Sequence, residues 1–153
     1  MRILLDTNVI LDLLVVRQPW EREAFIIKGI AYFGDAEVWV PAKSFTDIFY
    51  IMRRSFKPER VQELFLELRD VFHLCSLDEE DIFAACERCW PDFEDCLVAL
   101  CAEKVKADYI VTRDKEGFAD ASVPALTPHD FIETLGADVG VFYDLVNLGS
   151  FTV

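Results

Sequence analysis

Asp6 closes an apolar run near the start of the chain, and Asp114 stands just past a second run, Tyr-Ile-Val-Thr. Asp47 and Asp95 fall near the starts of two segments with helical periodicity. Strands this short and apolar suit a parallel sheet covered on both faces, where ligands gather beyond the carboxyl ends of the strands. That edge would collect all four acids. Carboxylates brought together without basic partners repel one another, and a hard divalent cation such as Mg²⁺ or Mn²⁺ makes the cluster tolerable. The chemistry implied is metal-assisted hydrolysis of a phosphodiester, with an activated water attacking in line and the cation screening phosphate charge. Asn8 would stabilise the turn after Asp6 or orient its carboxylate. Thr112 is a strand-end residue or a hydroxyl holding water near the metal.

Each acid also has an ordinary reading. Asp6 could cap the helix that follows it. Asp47 shares a polar stripe with Lys43 and Arg54, so a surface ion pair would explain it. Asp95 lies three residues after Asp92, where a carboxylate suits a helix start, and Asp92 itself reads as the cap. Asp114 opens Asp-Lys-Glu-Gly, a type I turn signature. Asp12 reads as a solvated helix residue. For Asp6, Asp47, Asp95 and Asp114 the site reading is preferred.

The elements that must position these residues alternate. Strands are expected at 2–5, 37–40, within 71–77, at 109–112 and at 123–126. Helices are expected from Thr7 as cap to Val15, over 20–33, over 44–54, from Pro58, from Asp78 toward Cys89, from Asp92 to about Lys106, and from Thr127-Pro128 to a stop at Gly136. Short strands alternating with helices give an α/β fold, three layers α/β/α around a parallel sheet of four to five strands. Residues 1–136 form one domain. The apolar tail 137–153 breaks the rhythm and would add an edge strand, pack on the surface or mediate self-association.

Composition narrows the field. The 28 Asp+Glu outnumber the 15 Lys+Arg, leaving a formal charge of −13, which argues against a broad basic nucleic-acid surface and against binding to anionic lipid. Lys43, Arg53, Arg54, Arg113 and Lys115 could form a local phosphate track on this acidic body. No uncharged apolar stretch reaches about 18 residues, so no membrane span is expected. Two Asp interrupt the N-terminal run, which makes a poor signal peptide, and the cytoplasm is the default compartment. The odd cysteine count (Cys75, Cys86, Cys89, Cys96, Cys101) fits reduced packing thiols. Cys86 and Cys89 form a lone CxxC, His73 and His129 are not at zinc spacing, and no phosphate loop or nucleophile elbow is present.

Four segments carry a family resemblance: LLDTNVILDLL at the start, PAKSFTDIFYIMRR, DFEDCLVALCAEKVKADYIVTRDKEGF and TPHDFIETL. Together they resemble the PIN domain over about residues 1–135. The resemblance implies a pocket of acids that binds Mg²⁺ or Mn²⁺ and cleaves single-stranded RNA. Asp6, Asp95 and Asp114 match the family's first, third and fourth acids and would hold the metal. Asp47 falls where many members carry Glu, one methylene longer. Thr112 matches the small hydroxyl residue before the last acid. Small members resemble VapC-type toxins, which implies an antitoxin partner and a homodimer.

Two other functions compete. A PIN-like module that binds RNA or a partner without cutting is suggested by Asp47 in place of Glu and by the acidic surface. A haloacid-dehalogenase-like phosphatase also has an Asp after its first strand, but it needs a second Asp where this chain has Asn8.

Overall fold

The computed structural model describes residues 1–15, 17–140 and 143. β1 (Arg2–Leu5) shows why a short apolar strand forms here. Ile3 and Leu5 pack into a core on one side of the sheet, and Leu4 packs into a second core on the other. Alternating side chains are thus buried on both faces, as the run Ile-Leu-Leu requires.

The elements follow as β1, α1 (Thr7–Leu14), α2 (Glu21–Phe33), β2 (Glu37–Pro41), α3 (Ala42–Met52), α4 (Pro58–Glu67), β3 (His73–Cys75), α5 (Glu79–Arg88), α6 (Phe93–Lys104), β4 (Tyr109–Val111), a single 3₁₀ turn (Glu116–Phe118), β5 (Ala125–Leu126) and α7 (Pro128–Val139). All strand pairs are parallel, in the order β3-β2-β1-β4-β5. Residues from α1, α2, α3, α4 and α7 build the core on one face, and those of α6 build the other with α5 packed on it. This is the expected three-layer α/β/α arrangement, with five strands.

Strand order fixes where a ligand could sit. From β1 the chain steps outward to β2 and β3, then crosses back to place β4 on the free side of β1. The β1/β4 seam is therefore the switch point of the sheet, where two connections leave in opposite directions and open a crevice. Leu5 pairs with Val111 in the register, so Asp6 and Thr112 leave the seam side by side. The Asp6 amide extends the ladder by donating to the Val111 carbonyl at 3.0 Å.

Two expectations about helix ends are corrected. Thr7 is not the cap of α1: Asp6 holds that position, and the Thr7 hydroxyl is 2.7 Å from Ser44 Oγ instead. The last helix does not stop at Gly136. Glycine inside a helix costs only about 1 kcal/mol, and Gly136 is buried, so α7 runs on to Val139. Gly140, at φ 71°, closes it by donating to the Gly136 carbonyl at 3.0 Å. Of the proposed apolar tail, only 137–140 and Tyr143 are described, and its other residues lie outside the described set. No helix among the described residues is long and apolar enough to cross a membrane. The cysteines are free: Cys75, Cys96 and Cys101 are buried, and Cys86 and Cys89 are exposed.

Candidate active site

Asp6 is the fixed point of the crevice. It occupies the helix-start position but its carboxylate makes no capping bond. The side chain is buried instead, and Oδ2 accepts from Thr112 Oγ1 at 2.9 Å and from Asn8 Nδ2 at 3.3 Å. Burial pushes its pKa up, partly offset by the Thr112 hydroxyl, the Thr7 backbone amide and the Asn8 amide and by the charge of Lys43. Thr112 is fully buried and works in both directions. Its hydroxyl donates to Asp6 and accepts the Asp114 amide at 3.0 Å, so one oxygen ties the first acid to the loop carrying the last.

Asp95 enters from the opposite helix layer. Asp92 caps α6, accepting the amides of Glu94 at 2.8 Å and Asp95 at 3.1 Å, which is the role expected of it. The capped first turn places Asp95 against the β1/β4 seam. Its pKa is pushed up to about 6, first by burial and then by the negative charges of Asp92, Asp6, Asp114 and Glu94. Asp6, Asp95 and Asp114 thus come together from β1, α6 and the loop after β4.

Gly117 shows how tight the cluster is. A Cβ there would stand 2.4 Å from Asp95 Oδ2 and 3.6 Å from Asp114 Oδ2. The two carboxylate oxygens are therefore no farther apart than those two distances laid end to end. The Gly117 amide also donates to Asp114 Oδ1 at 3.3 Å. Reading Asp-Lys-Glu-Gly as a turn explained the glycine locally, so its contact with α6 was not foreseen.

Asp47 has a basic partner of its own. It forms an ion pair with Lys43 Nζ at 3.0 Å, one helical turn back, and both are partly shielded. The charge of Lys43 also lowers the Asp6 pKa. Ser44, fully buried and 2.7 Å from Thr7, joins the starts of α3 and α1 and is a supporting residue that the sequence reading missed. Its position three residues before Asp47, on the same helical face, is the signal that could have found it.

Two further expectations fail. Asp12 is not solvated: its side chain is 2% exposed, facing Arg113 Nε at 3.4 Å and Arg17 Nη1 at 3.7 Å. Burial raises its pKa against the lowering effect of those two cations. The phosphate track is also reduced. Arg113 turns inward to Asp12 and lies 4.0 Å above the Trp20 ring, and Lys115 pairs with Asp130 at 3.2 Å. Arg53 stacks on the exposed Tyr50 ring at 4.2 Å, with Arg54 at 5.7 Å. His129 meets Glu133 at 3.4 Å on the surface, and His73 packs against Trp39.

Among the described residues, no three acidic, histidine or cysteine side chains already stand as a metal-ligating group. The chemistry of the donors nevertheless fits a hard cation. They are carboxylate oxygens with one hydroxyl beside them, and their mutual repulsion is what a bound dication relieves. In metal-free protein the burial of Asp95, with this repulsion added to it, has a cost with a defined pH dependence. The folded-state pKa of Asp95 is raised from 3.8 to about 6. The penalty is therefore absent below about pH 4, where both states are protonated, and fully present above about pH 6. A two-unit shift would correspond to ~3 kcal/mol; Asp95 is substantially solvated, and screening reduces this to about 1 kcal/mol. Asp95→Asn should thus be about 1 kcal/mol more stable than wild type at pH 7 in chelator and equal to it at pH 4. Urea unfolding at the two pH values checks this, and a variant less stable at pH 7 would contradict the penalty on ionised Asp95.

The PIN domain profile matches residues 2–116, and PIN domains are generally nucleases. No curated protein matches the sequence at a significant level. A chain from the structure of FitAB bound to an IR36 DNA fragment is 25% identical with a TM-score of 0.61, spanning 82% of this chain and 94% of that one. A chain from VapBC2 of Rickettsia felis, bound to a DNA fragment from their promoter, superposes with a TM-score of 0.63 at 15% identity, over 83% and 98%. A chain from FitAcB of Neisseria gonorrhoeae does so with a TM-score of 0.61 at 24% identity, over 83% and 98%. The matched span takes in most of the chain and all four aspartates singled out in its sequence, and the chain belongs to the PIN domain family.

Proposed function

We propose that this protein is a Mg²⁺- or Mn²⁺-dependent endoribonuclease that cleaves single-stranded RNA. The observation that carries the reading is the gathering of Asp6, Asp95 and Asp114 at the β1/β4 seam, with the ionised form of Asp95 disfavoured by burial and then by its neighbours' charge. Those three carboxylates would hold the cation, directly or through water. When bound, the cation supplies Lewis-acid activation of a water and screening of the phosphate.

The chain's own residues do the rest. Thr112 and Asn8 fix the Asp6 carboxylate. Gly117 leaves room for Asp95 and steadies Asp114 through its amide. Lys43, held by Asp47, keeps a positive charge beside the acids, where it can meet a backbone phosphate. Asp47 therefore acts by positioning Lys43, and its shorter side chain serves that pairing.

The structural neighbours come from assemblies seated on DNA, VapBC2 and FitAB. This supports a toxin role with an antitoxin as protein partner. The phosphatase reading loses ground, because Asn8 donates its amide to Asp6 and cannot supply the acid proton which that chemistry needs. The non-cutting module keeps one observation in its favour, the diversion of Arg113 and Lys115 to acidic partners.

A cleavage assay on one RNA, single-stranded or annealed to its complement, titrated with Mn²⁺ or with chelator, separates these readings. Cleavage of the single strand is expected with Mn²⁺ and none in chelator. Binding in chelator should be weak and fall steeply with salt, because the few remaining contacts are to phosphate. Binding without any cutting at saturating Mn²⁺ would establish the inert module, and undiminished cutting in chelator would remove the metal.

A further inference from the structure

A buried ion pair outside the acid cluster takes no part in the mechanism. Asp12 lies on α1 beneath the surface, its carboxylate between the Arg113 and Arg17 guanidinium groups. Among the described residues, Asp12 Oδ1 and Arg113 Nε have no hydrogen-bond partner at all. Arg113 is further held from the other side, its guanidinium 4.0 Å above the Trp20 ring. A buried ion pair with incomplete hydrogen bonding is a poor source of stability, and apolar residues of the same volume would generally serve as well or better. Its placement suggests another role.

Residues 112 and 113 are consecutive, and they meet α1 at two separate points, its N-cap Asp6 and Asp12. Thr112 bonds Asp6 at the start of that helix, and Arg113 faces Asp12 further along it. The next residue is Asp114. Two fastenings, one polar and one ionic, therefore fix the end of β4 against α1. The backbone ladder holds the strand itself, through the Asp6 amide to the Val111 carbonyl at 3.0 Å and the Thr112 amide to the Leu126 carbonyl at 2.9 Å. It ends at Thr112, so beyond it the hold of Asp12 on Arg113 limits how far the loop can carry Asp114 from Asp6 and Asp95.

We infer that Asp12 is a positioning residue, which holds Arg113 inward so that Asp114 and the loop to Gly117 face Asp6. The guanidinium over Trp20 adds a planar seat that an ammonium would not use in the same way. Asp12 touches neither substrate nor cation in this account. Its link to metal affinity rests on the metal reading proposed above, whereas its link to loop order does not.

Metal-free protein and amide hydrogen exchange test the inference directly. In Asp12→Asn, the amides of Asp114 (bonded to Thr112 Oγ1) and Gly117 (bonded to Asp114 Oδ1) should exchange about tenfold faster, while amides of α5 keep their wild-type rates. Arg17→Ala, which removes the other cation facing Asp12, should leave both loop amides unchanged. Unchanged exchange in a folded Asp12→Asn, acceleration spread evenly over the molecule, or equal acceleration in Arg17→Ala would each overturn it. If Asp12→Asn does not fold because Arg113 is left buried without a counter-charge, the double variant Asp12→Asn with Arg113→Gln removes that charge and is read by the same criteria.

A Mn²⁺ titration by calorimetry adds the metal arm. Wild type should bind, and Asp12→Asn about tenfold more weakly, the usual scale for a group that orients a ligand. Equal affinity in the two would overturn the inference. A wild type that binds no Mn²⁺ would overturn the metal reading alone, and the exchange rates would still decide the role of Asp12.

Discussion

Asp6→Asn should lower the rate of RNA cleavage about 10³-fold, ~4 kcal/mol of transition-state stabilisation, while leaving the fold intact. The two effects separate for a structural reason. Thr112 and Asn8 both donate to Oδ2, and an asparagine carbonyl in that position accepts both bonds. The substitution also removes a charge that burial disfavours, so thermal stability should be unchanged or higher. What is lost is a negative oxygen facing the cation. Single-turnover cleavage and a thermal melt on the same preparation measure both sides, and a wild-type rate in the variant would take Asp6 out of the mechanism.

Gly117→Ala should cost about 10²-fold in cleavage, the scale of a displacement of about 1 Å in a preorganised site. Gly117 is not in the left-handed backbone region, so the added methyl carries little conformational cost of its own. Its cost is local, because 2.4 Å to Asp95 Oδ2 is far inside contact distance and the carboxylate or the loop must give way. Gly34→Ala is the mirror case. A Cβ at Gly34 meets nothing within 4 Å, but the residue sits at φ 76° behind α2. That substitution should lower stability by about 1 kcal/mol and leave cleavage untouched. If the two variants show the same pattern, loss of stability rather than geometry explains Gly117.

Part of this site was legible in the sequence, for a definable reason. The sequence shows where strands end, and in a parallel sheet the ends of strands are where ligands bind. Asp6 and Asp114 could be found by that rule, and the helix start that opens toward the same edge brought in Asp95. The order of strands across the sheet was not legible, because nothing in the short apolar run at 109–111 says that it pairs with the first strand. Without that neighbour relation, the bond from Thr112 to Asp6 could not be read, and Thr112 stood only as a strand-end residue or a hydroxyl holding water near the metal.

The misread residues share a cause. Asp12 looked solvated because a charged residue on a short helix usually is. Only the tertiary path of Arg113, from a strand more than ninety residues away, buries it. Arg113 was assigned to the phosphate track for the same reason, since a sequence records its charge but not the direction in which it folds. Gly117 and Ser44 act through close approach to other elements, which leaves no periodic trace. Gly136 was taken for a helix stop because glycine breaks helices when exposed; here burial of that stretch of α7 outweighed the intrinsic preference.

The account turns on the three carboxylates forming one cation site. Crystals soaked in Mn²⁺ and measured for anomalous scattering test this most directly. The expected result is a peak bounded by Asp6, Asp95 and Asp114, lost in Asp6→Asn. A saturating soak that leaves that space without anomalous signal, or places the ion on acids elsewhere in the chain, would contradict it.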